Sequence, residues 1–404
     1  MRRLALAIGL ALPLGCAPGP AVTVASPSPS PPIVAASATA SPSPSARGAA
    51  ALNIPTAVGK IPRSFHYLST GRGEGFRILL FDEESARPPV EVLRSGPVPV
   101  TSEPDVRSDD FSASADGRVL VVRRRLSEQQ TTYSVVRPET GQVDALLSAA
   151  DLGAPVVSAD GSRIAYARTT DAPALHGTWL LAIAGNPPAP VRLITDQPQR
   201  VSSPPQPVSW SPDGQWLAVA VGQGESGPQI AVVALSGGET HYDATANAFV
   251  GGRARVLAPG YVVDWRGGDG ALLITSSRSA FGGRTEIVTA DVTTGASRSL
   301  YRPAGDVSLG PAVMHPSLDR YAFLESPFGR APGTSSTVGV RRLDGTATKV
   351  AESAFLGELW WSRDGTKLFA ITGGDDSTGA ISNLLGTGGG APFCRRGGIP
   401  PSCT

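Results

Sequence analysis

Lysine is almost missing from this chain of 404 residues, occurring only as Lys60, Lys349 and Lys367, so arginine carries nearly all the positive charge. With 35 Lys plus Arg against 34 Asp plus Glu, the formal net charge is +1. A near-neutral chain has no broad basic footprint, which argues against a nucleic-acid partner. The 4 histidines, His66, His176, His241 and His315, are scattered. None stands at a ligand spacing, so no metal or cofactor is expected. The glycine-rich stretches Gly282-Gly283 and Gly388-Gly-Gly390 are not followed by Lys-Ser/Thr, which excludes a phosphate loop. There is no Gly-x-Ser-x-Gly elbow. Ser226, in Gly224-Glu-Ser-Gly227, reads as part of a polar loop, and nothing after the last repeat is long enough for a catalytic α/β domain. Catalytic residues are therefore not assigned. The only long apolar run, Leu4 to Leu14, is too short to span a bilayer.

That run has the layout of an export signal: Met1-Arg2-Arg3 is positive, Leu4 to Leu14 apolar, and Gly15-Cys16 follows. The Leu14-Gly15-Cys16 ending resembles the lipobox of bacterial lipoproteins, with Pro13 in a position where leucine is usual. The resemblance implies lipidation at Cys16 and an exported protein anchored in a membrane, facing the periplasm or the cell exterior. Residues 17–58 are rich in Ala, Pro and Ser, including Ser26-Pro-Ser-Pro-Ser-Pro-Pro32. Such a segment cannot bury enough apolar surface to offset its ordering entropy and is expected to be a disordered tether. The cysteines Cys394 and Cys403 lie in a Gly-rich tail, residues 377–404, and in an exported chain two such thiols are candidates for a disulfide.

What the sequence has in abundance is a recurring turn. Ser114-Ala-Asp-Gly117, Ser158-Ala-Asp-Gly161, Ser211-Pro-Asp-Gly214, a looser Arg266-Gly-Gly-Asp-Gly270 and Ser362-Arg-Asp-Gly365 each sit between two short apolar stretches. Gly takes positive φ without steric cost, and Asp bonds nearby backbone N–H groups, so each copy predicts a tight hairpin. Asp116, Asp160, Asp213, Asp269 and Asp364 with Gly117, Gly161, Gly214, Gly270 and Gly365 are thus read as turn residues. They are not read as a calcium ring, because successive blades would hold them too far apart. A sixth hairpin, 312–324, carries His315-Pro-Ser-Leu-Asp-Arg320 in place of the Asp-Gly turn. A repeat of roughly 45 to 55 residues is that of a four-stranded propeller blade. The predicted fold is all-β: a six-bladed β-propeller over 59–376. Phe76 to Phe81 and Val90 to Leu93 would complete the last blade, so that strands from both ends share it. A seven-bladed ring, in which Phe65 to Thr70 starts a separate blade, is the alternative. Trp210, Trp265 and Trp361 recur at one hairpin position and are predicted to wedge between blades. Trp360, on the opposite strand face, is a candidate exposed interface residue.

The Trp210-Ser-Pro-Asp-Gly214 phrase with its following apolar strand resembles the repeat of the TolB-type propellers, a WD-repeat-like branch that also includes the propeller of prolyl oligopeptidases. The resemblance covers residues 60–375 and implies a fold; a Pro/Ser tether stands where TolB has an α/β domain. The expectation for function is a membrane-tethered extracytoplasmic module that binds or scaffolds another envelope or extracellular protein. The alternative is a hydrolase or lyase acting on carbohydrate or peptide at the propeller channel. Oligomeric state is not legible.

Overall fold

The computed structural model describes residues 52–53, 57–70, 76–85, 87–95, 109–127, 129–184, 189–196, 203–222, 228–251, 253–260, 262–266, 270–276, 285–327, 335–353, 356–372, 378–385 and 391–394. They form seven antiparallel blades, each numbered here in chain order. Blade I holds Phe65–Thr70, Arg77–Asp82 and Val90–Ser95, with Leu52–Asn53 on its outer edge; blade II holds Asp109–Ala113, Leu120–Ser127, Gln130–Arg137 and Gln142–Ala149. Blade III holds Val156–Val157, Arg163–Arg168, Gly177–Ala182 and Val191–Asp196; blade IV holds Gln206–Trp210, Trp216–Val221, Gln229–Ala234 and Ala254–Pro259. Blade V holds Val262–Arg266, Ala271–Ser276, Glu286–Asp291 and Ser297–Tyr301. Blade VI holds Val307–Met314, Arg320–Pro327, Ser336–Arg342 and Ala347–Ser353, and blade VII holds Leu356–Trp361, Leu368–Thr372, Thr378–Asn383 and Ala391–Cys394.

The core lies between blades, not within one layer. Seven apolar clusters each join one adjacent pair, from Tyr67 and Ile78 against Leu120 and Val122 at I/II, round to Leu68 and Phe81 against Trp360 and Phe369 at VII/I. A strand sandwiched this way loses its apolar/polar alternation, and Ala271–Ser276 is buried at every position. The wedge prediction holds: the indole N–H groups of Trp210, Trp265 and Trp361 each donate to the preceding blade, at Val156 O (2.8 Å), Ser209 Oγ (3.1 Å) and Val313 O (3.3 Å).

The turn is a closed hydrogen-bond unit. In blade VII, Ser362 Oγ donates to Asp364 Oδ1 at 2.6 Å and accepts the Lys367 N–H at 2.9 Å, while Asp364 Oδ1 accepts the Thr366 N–H at 3.0 Å. Blades II, III and IV repeat it around Asp116, Asp160 and Asp213, and Gly117, Gly161, Gly214, Gly270 and Gly365 all have φ between 67 and 73°. Blade VI keeps the geometry with other chemistry. His315 replaces the serine, its Nδ1 2.6 Å from Ser317 Oγ, and Leu318 occupies the glycine position at φ 61°. Asp269 lies outside the described residues.

Six hairpins of the repeat are present, as predicted, but the shared last blade is not. Thr378–Asn383 and Ala391–Cys394 give blade VII its own third and fourth strands, inside the segment read as a tail. Arg77–Asp82 and Val90–Ser95 pair with Phe65–Thr70 in a separate sheet, so the alternative count of seven describes the ring. Phe65–Thr70 also runs the wrong way for an innermost strand. Elsewhere neighbouring inner strands advance together, as in Ser112 with Val157 and Ala115 with Ala159. At the seam Ser64 meets Arg363 whereas His66 meets Trp360 and Glu358. Phe65–Thr70 is therefore equivalent to the second strand of the other hairpins, and among the described residues blade I has no innermost one. A further departure is the hairpin Thr240–Asp243 and Ala248–Val250, inserted between the outer strands of blade IV. It pairs in parallel with Val191–Asp196 and extends blade III to six strands.

Candidate functional site

Among the described residues no inner strand of blade I lies against blade VII, and Trp360 occupies that place. It occupies the hairpin position two residues before the turn serine. There, Ser112 and Asp264 use a side-chain oxygen to accept the next blade's inner-strand N–H, from Val157 at 2.9 Å and Met314 at 2.6 Å. Trp360 instead projects its ring into blade I. It stacks on His66 (centroids 4.1 Å apart, planes at 10°), meets Phe81 edge-on at 6.4 Å, and donates Nε1–H to Glu83 Oε1 at 3.0 Å. Only 6% of its surface is exposed, so the expectation of an exposed interface at Trp360 is corrected: its ring is buried against Leu68 and Phe81 of blade I. Glu83, itself 3% exposed, also accepts the Ser64 hydroxyl.

Above this clasp, on the face carrying the Asp-Gly turns, blades I and VII leave a cleft of about 460 Å³. Arg63, Ser64, Glu83 and Glu84 line it from one side, and Ser362, Arg363, Asp364 and Lys367 from the other. Its walls are tied across the seam by backbone acceptors: Arg363 Nη1 donates to Arg63 O at 3.3 Å and Lys367 Nζ to Glu83 O at 2.7 Å. The Arg363 N–H donates to Ser64 Oγ at 3.4 Å. The turn holds Asp364 as an anion, its pKa drawn down to about 2 by the Ser362 hydroxyl first and then by Thr366. Asp160 is likewise lowered to about 2, through Ser158 and Ser162.

The described turn aspartates, Asp116, Asp160, Asp213 and Asp364, thus serve their own hairpins, and of these only Asp364 also reaches the cleft. Among the described residues no group of three or more His, Cys, Asp or Glu is placed to hold a metal. Cys394 ends the last strand of blade VII, whereas Cys16 and Cys403 lie outside the described residues. Sequence reasoning missed Arg63, Glu83, Arg363 and Lys367, because the seam joins residues nearly the length of the propeller apart. The available signal was that Lys367 is one of so few lysines. It missed Asp264 too, although an acid inside an apolar inner strand was visible. Burial raises its pKa from 3.8 to about 6, against the lowering effect of the Met314 and Trp265 N–H groups.

No family model and no curated protein matches this sequence. Solved structures do. A prolyl endopeptidase aligns with TM-score 0.52 at 12% identity, over 82% of this chain and 50% of that one, so the chain spans half the length of that enzyme. An oligogalacturonate lyase in complex with manganese aligns with TM-score 0.49 at 11% identity, over 81% of this chain and 84% of that one. TolB from Acinetobacter baumannii aligns with TM-score 0.40 at 14% identity, over 82% of each chain. The structural neighbours thus include TolB proteins, alongside the prolyl endopeptidase and the lyase, and at these identities the likeness is one of fold alone.

Proposed function

We propose that this protein is an extracytoplasmic binding module, tethered to a membrane through Cys16, whose turn face holds a segment of another envelope or extracellular protein. The observation that carries the reading is the seam cleft: polar, open, and built on hydrogen bonds that cross between two blades. A site held this way loses little freedom when occupied, which favours recognition by a preformed surface. The export signal, the lipobox-like Leu14-Gly15-Cys16 and the Pro/Ser segment behind it support the tethered, exported placement. The test is affinity capture of tagged full-length protein from gently crosslinked membranes, with Cys16→Ala alongside. One stoichiometric protein partner, lost from the membrane fraction when Cys16 is replaced, is the expected result. Efficient membrane capture with no partner at any crosslinking level would refute the protein-binding reading, and a Cys16→Ala protein that stays in the membrane would refute the anchor.

A further inference from the structure

The formal charges lining the cleft balance, Arg63, Arg363 and Lys367 against Glu83, Glu84 and Asp364. Its hydrogen-bonding capacity does not. Two of the three acids are already engaged by neutral donors: Glu83 by Ser64 and Trp360, Asp364 by Ser362 and Thr366. The cations hydrogen-bond only to neutral partners, although the charge of Lys367 also acts on Asp364. Arg363 reaches the Arg63 carbonyl and Lys367 the Glu83 carbonyl, and no carboxylate lies in ion-pair range of any of the three among the described residues. The guanidinium of Arg63 makes no side-chain hydrogen bond there, and both Arg63 and Arg363 are exposed. What remains for a ligand is a surplus of N–H donors, with planar forks suited to carboxylates, on either bank of a cleft about 460 Å³ in volume.

Resting on the protein-binding reading above, we propose that the segment seated in this cleft is an acidic peptide of the partner protein, its carboxylates bridging Arg63 of blade I and Arg363 of blade VII. Glu84 stands exposed at the same rim and opposes such a ligand, giving the site a repulsive element that selects where on the rim the acids sit.

The probe is a fluorescent oligo-glutamate peptide titrated into the full-length protein, with oligo-glutamine as its neutral counterpart. Oligo-glutamate is expected to bind, more weakly as ionic strength rises, and oligo-glutamine not to. The double variant Arg63→Gln/Arg363→Gln should weaken binding about tenfold, the order expected for two charge pairs at an open site. Glu84→Gln should tighten it. Arg298→Gln, at an exposed site on the outer strand of blade V, should leave it unchanged. The inference is overturned if both peptides bind alike, if neither binds, if Arg298→Gln loses as much as the double variant, or if a correctly folded double variant keeps its affinity. Partner capture separates this failure from failure of the function. A captured protein that the double variant still holds leaves the binding module standing and moves its site elsewhere, whereas no captured protein removes both.

Discussion

Replacing Asp264 by Asn is expected to change how stability depends on pH, by an amount that follows from the geometry. The residue keeps part of its surface in solvent, but its carboxyl is enclosed between blades V and VI, where Oδ2 accepts the Met314 N–H at 2.6 Å. Its pKa stands at about 6 in the fold against 3.8 for the free side chain. The folded state therefore binds this proton more tightly than the unfolded state. Below pH 3.8 both states are protonated and there is no penalty; from there to about pH 6 the penalty grows, and above that it is complete. Two units correspond to about 3 kcal/mol, reduced to about 2 by the residual solvation. Asn keeps an acceptor for Met314 and cannot ionise. The stability of Asp264→Asn relative to the native protein should thus rise by about 2 to 3 kcal/mol between pH 4 and pH 7. Urea unfolding followed by far-UV circular dichroism at stepped pH measures it, and any fixed cost of the amide cancels in the difference. A relative stability that is flat with pH, or that falls as pH rises, would show that Asp264 is not held as described. Asp264→Ser, which copies the oxygen Ser112 uses at the equivalent place, should lose the pH dependence too.

Trp360→Ala should cost about 4 kcal/mol for the vacated ring space, with a further loss from leaving buried Glu83 short of a donor, whereas Trp360→Phe should cost about 1.5 to 3 kcal/mol. Hydrogen exchange should quicken in Phe65–Asp82 and Leu356–Thr372 in the alanine variant and not in blades III to V; uniform acceleration would contradict a local clasp. Gly214→Ala, where a Cβ meets only Arg163 Nη2 at 3.7 Å, should cost the left-handed backbone alone, about 1 kcal/mol. Gly117→Ala, where the Cβ would lie 2.5 Å from Phe65 Cζ, should cost clearly more in the same urea titration, and equal losses would mean that Phe65 yields freely.

The parts of the fold that were legible are those in which one local interaction demands one residue type. Gly turns cheaply at φ near 70° and a short oxygen-bearing side chain closes the loop from Ser362 to Lys367, so five hairpins could be counted from the turn, while 312–324, with His315 and Leu318 in those places, was counted from its flanking strands. The wedge tryptophans were legible for the same reason, a large ring recurring at one position. The outer strands of blade VII were not. Thr378–Asn383 reads TGAISN, and an outer strand needs only backbone pairing, which leaves no apolar rhythm to detect. The direction of Phe65–Thr70 was hidden for the opposite reason: it is as apolar as any inner strand, and composition cannot tell a first strand from a second. The seam cleft was out of reach because its two banks come from opposite ends of the ring, and no local pattern records what the far end brings.

The clasp and the cleft are one structure, and this couples binding to ring closure. Glu83 faces Trp360 and Ser64 with its side chain and Lys367 with its carbonyl, so the floor of the cleft is also the lock of the ring. A ligand that bridges Arg63 and Arg363 binds only when blades I and VII are together, and must stabilise that state by RT ln(1 + [L]/Kd), about 2.7 kcal/mol at a hundredfold excess over Kd. Oligo-glutamate should therefore raise the urea midpoint of the native protein and slow exchange at the I/VII seam before any other junction. By the same linkage, Trp360→Ala should weaken the peptide without touching a residue that contacts it, while Trp210→Ala, which loosens blades III and IV, should not. If the peptide bound Trp360→Ala and native protein equally, the cleft would be a surface feature independent of the closure, and the two halves of the seam would have to be explained separately.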